Sequence, residues 1–342
     1  MLKSIRSNWL ETLETILIPD NAAIPALVGQ IRSLSTNYRL SETNKAESLW
    51  LDQRMIQAYL AYYFPLNWLR GSAVLEEAQR LGFFEGITNI FEVGSGPGTF
   101  HFAALESNLK NIRWSFHDAR EAMAVHQRLL DALPTAKENT PNGAAAWSSQ
   151  SLKDIESNSA VVLSYTLNEM AELPAPALKA EAIVIIEPST RDTTRALQAL
   201  RAKLIEKGFH AWAPCTHDHG CPLLLHSPND WCHSRVHVEV PKWMKVIEDR
   251  IPVRNDTLTY SYLLMRKLAP KRKATTARII GDTLFERGKV RQAVCRGEDR
   301  EFLSWLTRHG EPDQLARGIT IELPENIEKK GNELRVAPDY KF

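Results

Sequence analysis

Two rhythms of apolar and polar positions divide this chain of 342 residues. Over residues 1–85 apolar positions recur at helical spacing, as in IPALVGQIRSLSTNYR (24–39) and SLWLDQRMIQAYLAYYF (48–64). Pro65 is expected to break the second run, and AVLEEAQRLGF (73–83) to open a further helix that Gly82 ends. The expectation is a helical N-terminal domain that packs its apolar faces on the domain after it. From residue 86 short apolar runs alternate with helical stretches, the rhythm of a mainly parallel α/β sheet. The predicted strands are 89–94, 112–118, 160–165, 182–188, 209–214 and 258–266, with a helix over 192–208 stopped by Gly208. Residues 135–151, rich in Asn, Gly, Ala and Ser, read as a loop. After a basic linker, KLAPKRKATTAR (267–278), short strands are predicted in TARIIG, GKVRQAVC, GITIELP and ELRVAP. Three parts result: a helical domain 1–85, an α/β domain 86–268 with a Cys-rich insertion 213–257, and a basic, β-rich module 269–342.

The first candidate chemistry lies where the first predicted strand ends, in Ile90-Phe91-Glu92-Val93-Gly94-Ser95-Gly96-Pro97-Gly98-Thr99. Glycines allow positive φ and a close approach of backbone to ligand. A helix opening near Thr99 would offer free N–H groups. The pattern is G-x-G-x-G with no Lys-Ser/Thr after it, so it departs from both a dinucleotide fingerprint and a P-loop. Glu92 before the turn and Asp118 after the next strand suit a ligand with an amino group and a ribose, whose hydroxyls a carboxylate can accept from. E-x-G-x-G-x-G with a β2 acid resembles motifs I and II of class I S-adenosylmethionine (SAM)-dependent methyltransferases. That resemblance implies a Rossmann-like fold in which Glu92, Gly94, Ser95, Gly96 and Gly98 line the cofactor, Asp118 holds its ribose and Asn168 stands nearby.

Catalysis is a separate question. The fourth strand is followed by Ser164-Tyr165-Thr166-Leu167-Asn168-Glu169. Amine methyltransferases of this fold place Asn/Asp-Pro-Pro-Tyr/Phe there, and cytosine-C5 enzymes a Pro-Cys; this chain has neither. No catalytic residue is assigned.

The four cysteines are Cys215, Cys221, Cys232 and Cys295, spaced C-x5-C-x10-C-x62-C. Four thiolates at one point can hold zinc or an iron–sulfur cluster. The gaps do not match paired C-x2-C knuckles, and so few cysteines read as a reducing compartment rather than a disulfide framework. His217, His219, His233 and His237 keep a mixed Cys/His zinc site open. IIEPST (185–190), WAPCTHDHGCPLL, NDWCH, LTYSYLLMRK, the late RGKV…C and the early LSTNYR together resemble the small-ribosomal-subunit methyltransferase-like family. The likeness spans about residues 30–300. Ser189-Thr190 replaces the family's Gly-Thr, and Ser234 a common Phe; neither removes a ligand. The resemblance implies a [4Fe–4S] cluster on Cys215, Cys221, Cys232 and Cys295, with zinc as the alternative. It also implies a small-subunit and rRNA partner and a role in subunit assembly or translation. The alternative function is an active SAM-dependent rRNA methyltransferase. Radical-SAM chemistry is rejected, since the C-x3-C-x2-C loop is missing and four cysteines leave no open iron. Through the cluster, Cys295 is expected to tie the C-terminal module to the α/β domain.

Charge refines the partner reading. The net charge is +1, yet residues 233–310 hold 17 Lys/Arg against 9 Asp/Glu, leaving −7 for the remainder. Basic stretches at 264–278 and 286–300 are candidates for phosphate contacts, with Trp231, Trp243 and Trp305 as secondary stacking candidates. At 44% hydrophobic and 24% charged the composition is globular. The N-terminus has neither a secretory h-region nor the acid-poor character of a mitochondrial presequence, and apolar runs are too short to span a bilayer. The expectation is a cytoplasmic chain, monomeric off the ribosome.

Overall fold

The computed structural model describes residues 2–18, 24–39, 49–107, 109, 112–133, 145–147, 152, 155–170, 172–310 and 315–342. The chain forms two compact units, Met1–Ile186 with Val236–Leu258, and Glu187–Arg235 with Thr259–Phe342.

The first unit opens with α1 (Ser7–Leu17), α2 (Ile24–Arg39) and α3 (Gln53–Ala58), the last capped by the Asp52 carboxylate, which accepts from Arg54 N. The expected break at Pro65 does not occur. A π-helical segment, Tyr59–Tyr63, runs from α3 straight into α4 (Phe64–Arg80). Phe64 N donates to Tyr59 O, five residues back, so the turn before the proline is wide. Pro65 then sits in the first turn of α4, where its missing N–H costs least. Gly82, at φ +71°, ends the helix as expected. α1 and α4 pack with α5 (Thr99–Glu106) through Trp9, Phe64, Trp68 and Phe102, with ring centroids 5.3–5.7 Å apart for Trp9–Trp68, Phe64–Trp68, Trp68–Phe102 and Phe64–Phe102. Trp68 Nε1 and the backbone N of Arg6 both donate to the Glu106 carboxylate, at 2.8 and 2.6 Å.

Behind these helices lie β1 (Asn89–Val93), β2 (Arg113–His117), β3 (Ala145–Trp147), β4 (Ser159–Ser164) and β5 (Ala182–Glu187), parallel and in the order β3-β2-β1-β4-β5. α6 (Arg120–Ala132) follows β2. β4 and β5 are buried at almost every position, as parallel strands covered on both faces must be. The winding reverses between β1 and β4, and in such sheets a ligand crevice opens at that switch point. The sequence reading of 135–151 as loop is corrected at 145–147, which pairs with β2. The Rossmann-like α/β class holds.

The second unit holds α7 (Arg191–Glu206), β6 (His210–Ala213), α8 (Pro222–His226), the start of β7 (Ser234–His237) and most of β8 (Thr257–Arg266). The Thr190 hydroxyl accepts from Thr193 N to cap α7, and Gly208 at φ +86° stops it. β6 pairs antiparallel with β8. A second sheet contains β9 (Thr276–Glu286), β10 (Lys289–Cys295), β11 (Glu301–Leu306), β12 (Thr320–Glu322), β13 (Glu328–Lys330) and β14 (Glu333–Arg335) in the order β12-β9-β10-β11-β14-β13. β11 and β13 were not expected. β11 is buried at five of its six positions, so its sequence shows no alternation to read. Ala277, Ile279, Val294, Leu303 and Leu334 form the core.

Candidate functional site

The glycine turn follows β1 at the switch point. Gly94, Gly96 and Gly98 all adopt positive φ, at +64°, +52° and +78°. At Gly94 and Gly98 the surroundings leave no room either. A Cβ on Gly94 would lie 2.2 Å from Thr166 Cγ2, and one on Gly98 2.2 Å from His126 Nε2. Gly98 leads directly into α5, as the sequence predicted. The Asp118 carboxylate accepts from Gly96 N and Ala119 N, both at 2.6 Å, and so fixes the turn while keeping further lone pairs for a ligand. Ser95 is buried, and its hydroxyl has no partner.

The site carries buried negative charge. Glu92 is 1% exposed, and its Oε2 has no hydrogen-bond partner. Burial first, and the Asp118 charge second, push the Glu92 carboxyl well above the usual range. Burial also raises Asp118, against the two backbone N–H groups that lower it. Glu169, open to solvent on one side, is pushed up to about 7 by burial of its other side and by Asp118. A cationic ligand would relieve all three. Asn168 lies exposed on the 3-10 turn Leu167–Glu169.

After β4 the chain folds back on the glycine turn. Tyr165 is held at φ +59°, a conformation that costs a non-glycine residue about 1–2 kcal/mol. The Thr166 hydroxyl donates to Gly94 O at 3.1 Å. Two aromatic residues that sequence reasoning missed complete the surroundings. The Trp50 ring lies 3.3 Å from where a Gly96 Cβ would stand, and Trp50 meets Tyr59 edge-on at 5.4 Å. Tyr59 bonds Asn67 and Thr99, and burial raises its phenol. The π segment is the one irregularity that points to Tyr59, and it has no sequence signature beyond the proline after it.

The cysteines fall entirely in the second unit. Cys215, Cys221, Cys232 and Cys295 line one cavity of about 20 Å3, together with Gln198, Arg201, His217 and Leu223. The 215–221 loop starts after a cis Ala213–Pro214 peptide. Cys215 Sγ donates to Gln198 Oε1 at 3.8 Å, and His217 Nε2 stands 3.3 Å from Cys295 Sγ. Burial pushes the Cys232 thiol up to about 12 and Cys295 well above its usual value. Among the described residues no group of three or more Cys, His, Asp or Glu side chains closes on one point as a single metal ion needs.

Three histidines of the alternative site have partners other than the cysteines. His219 stacks on His217 at 5.8 Å, His233 is bonded by Arg317 Nη1, and His237 bonds the Thr257 hydroxyl. Side chains hold the cysteine loops from outside. Arg201 donates to His219 O at 2.9 Å and to His217 O. Arg272 donates to Cys215 O at 3.1 Å, and Arg195 to Ser227 O and Asp230 O at 2.9 Å each. Asp218 accepts from Ala211 N at 2.8 Å and lies 2.7 Å from His210 Nδ1. Thr216 donates to Cys295 O at 3.1 Å, and Gly220 N to Glu298 at 2.9 Å.

The basic stretches turn out to be largely structural. Arg266 is buried, with its guanidinium 5.4 Å from the Trp212 ring, and Arg278 is buried on Gly318 O. Lys289 and Arg291 pair with Glu286 and Glu333, Arg296 with Glu301 at 2.7 Å, and Arg300 with Asp230 at 2.5 Å. Trp243 and Trp305 are core residues, whereas Trp231 is exposed with its indole N–H on Ser189 O. Among the described residues no helix is long and apolar enough to cross a membrane.

Set beside known proteins, residues 53–320 match a family described as mitochondrial small ribosomal subunit Rsm22. No curated protein matches the chain. Solved structures with local likeness include a candidate RNA methyltransferase from Pyrococcus horikoshii, with 14% identity over 58% of this chain and 83% of that one and a TM-score of 0.35. A SAM-dependent methyltransferase from Geobacter sulfurreducens, in complex with S-adenosyl-L-homocysteine, shows 13% identity over 59% and 91% of the two chains, TM-score 0.33. An rRNA methylase from Streptococcus thermophilus shows 11% over 56% and 95%, TM-score 0.30. Likenesses this distant carry nothing about ligand or substrate.

Proposed function

The chain belongs to the Rsm22 family of the mitochondrial small ribosomal subunit, and from that premise we propose that it is a methyltransferase-like factor that binds the small ribosomal subunit and its rRNA during assembly or translation. The glycine-turn site binds SAM. Glu92, Ser95 and Asp118 face the cofactor with buried polar atoms, and Gly94, Gly96 and Gly98 supply the backbone path. Buried carboxylates without a cation of their own suit a ligand bearing a sulfonium and an ammonium group. The observation that carries the binding-factor reading is Thr166. Its hydroxyl is committed to Gly94 O, at the place where amine methyltransferases present acceptors to a substrate.

Cys215, Cys221, Cys232 and Cys295 hold a [4Fe–4S] cluster. Two observations support the fit: four thiols around one cavity, and a buried guanidinium, Arg201, beside them. Four thiols are the donor set such a cluster takes, one per iron. When bound, the cluster supplies a cross-link and a redox-sensitive group.

An active rRNA methyltransferase remains the second reading, and Glu169 favours it. A carboxyl held at about 7 beside the proposed cofactor is poised to take a proton from a methyl acceptor. The test is crosslinking to rRNA in purified small-subunit particles, combined with SAM titration. Small-subunit crosslinks and SAM binding without methyl transfer are expected. Absence of the chain from every ribosomal fraction overturns the factor reading. Methyl transfer that Glu169→Gln abolishes would establish the enzyme instead.

A further inference from the structure

Arg201 is the most unusual charged group in the molecule. It is 1% exposed, in the middle of α7, and lines the cavity of the four cysteines. Its two terminal nitrogens reach carbonyls inside the 215–221 loop, those of His217 and His219. Its Nε, also buried, has no acceptor. A buried guanidinium normally requires a carboxylate partner. The sulfurs of Cys215, Cys221, Cys232 and Cys295 line the same cavity as this guanidinium.

We propose that Arg201 is a positioning residue for the cysteine-bound group: its fork shapes the Cys215–Cys221 loop, and its fixed positive charge offsets the negative charge of thiolates gathered in a dry cavity. The inference rests on the proposed [4Fe–4S] cluster. No ligand role is assigned to Arg201, which has no lone pair to donate. Its two contributions are separable. The loop clamp needs the planar fork, which lysine lacks. The electrostatic part needs only a cation at that place. Reduction of a thiolate-bound cluster adds one electron and hence one negative charge, so a nearby buried cation raises the midpoint potential.

The experiment uses the full chain, reconstituted anaerobically with ferrous iron and sulfide, as wild type, Arg201→Lys and Arg201→Gln. Iron per chain, the rate of iron loss to a chelator and the midpoint potential from a dithionite titration are read for each. Arg201→Gln should shift the potential to more negative values and lose iron several-fold faster. Arg201→Lys should stay near the wild-type potential while still losing iron faster, because charge is retained and the fork is not. If wild type loads iron and both variants match it in potential and retention, the role of Arg201 is overturned and the cluster reading stands. If wild type takes up no iron, the cluster reading itself falls, and this inference falls with it. Should Arg201→Gln fail to fold by circular dichroism, Arg201→Lys decides alone: retention equal to wild type overturns the clamp.

Discussion

The glycine-turn site and the cysteine cavity are built in opposite ways. The first is made of backbone. Three positive-φ glycines and the amides of Gly96 and Ala119 set its shape, and its buried charge is negative, on Glu92 and Asp118. The second is made of side chains reaching for carbonyls. Arg195, Arg201 and Arg272 hold its loops, and its buried charge is positive. A site's own buried charge is the complement of what it holds, since neither sign is tolerated alone in a dry interior. The contrast therefore points to a cationic ligand in the first and an anionic one in the second.

If the first site is backbone-built, adding a single carbon should damage it most. Gly98→Ala combines an unfavourable φ with a contact at 2.2 Å from His126, and should cost roughly 2–5 kcal/mol in urea unfolding and abolish SAM binding. Gly208→Ala is the control. Its φ is +86° but its surroundings are open, so it should cost only about 1 kcal/mol. Equal losses would show that crowding at the turn is irrelevant.

The same crowding predicts acid sensitivity in the first unit. His101 and His126 are buried and face each other at 3.1 Å. Burial lowers His101 to about 3 and His126 well below its usual value. The unfolded chain takes up protons below about pH 6.5 that the folded chain refuses. The contribution of this pair should be level above that pH and fall steadily as pH drops from 6.5 towards 3. Thermal midpoints between pH 7.5 and 5 test this, and His101→Phe should reduce the slope. A slope unchanged in that variant would remove His101 from the account.

A side-chain-built site should survive loss of a proposed cluster ligand better. Cys295→Ser should lose the iron and the colour that the proposed cluster would bring. The C-terminal module is nonetheless joined to the cysteine segment by Thr216–Cys295 O, Gly220–Glu298 and Asp230–Arg300. The expected result is an intact circular dichroism spectrum, a thermal midpoint lower by several degrees, and only modest new cleavage after residue 268. Complete proteolysis of 269–342 would mean that the metal, not these bonds, holds the module. The smallest effect belongs to Thr166→Val. It removes one hydrogen bond to Gly94 O, worth about 1 kcal/mol, and should weaken SAM binding modestly in calorimetry.

Legibility in the sequence divides along the same line. The glycine turn is local, so Glu92, the three glycines and the start of α5 were legible. Six strands were placed to within two residues, because buried strands appear as short apolar runs. Trp50 and Tyr59 were not legible, since their approach to the turn depends on tertiary packing and on the π segment. Neither was β3, whose three residues, two of them alanine, carry no alternation. The cysteine spacing identified a set but not its supports, for carbonyl clamps such as Arg201 on His217 and His219 leave no motif. Pairing within the basic stretches was not legible either. Counter-ions Glu333 and Asp230 lie outside the segment whose charge was counted.

The π segment at Tyr59–Tyr63 acts as a phase adjuster between two helical faces. One residue corresponds to about 100° of rotation around a helix axis. The wide turn takes up one extra residue and keeps the faces on either side in phase, because Phe64 N meets Tyr59 O as a residue four positions on would in an α-helix. Deleting one residue within the segment would close the turn and leave Ile56 and Trp68 facing as they do. A residue added or removed elsewhere in α3 or α4 would instead swing one face past the other by about 100°.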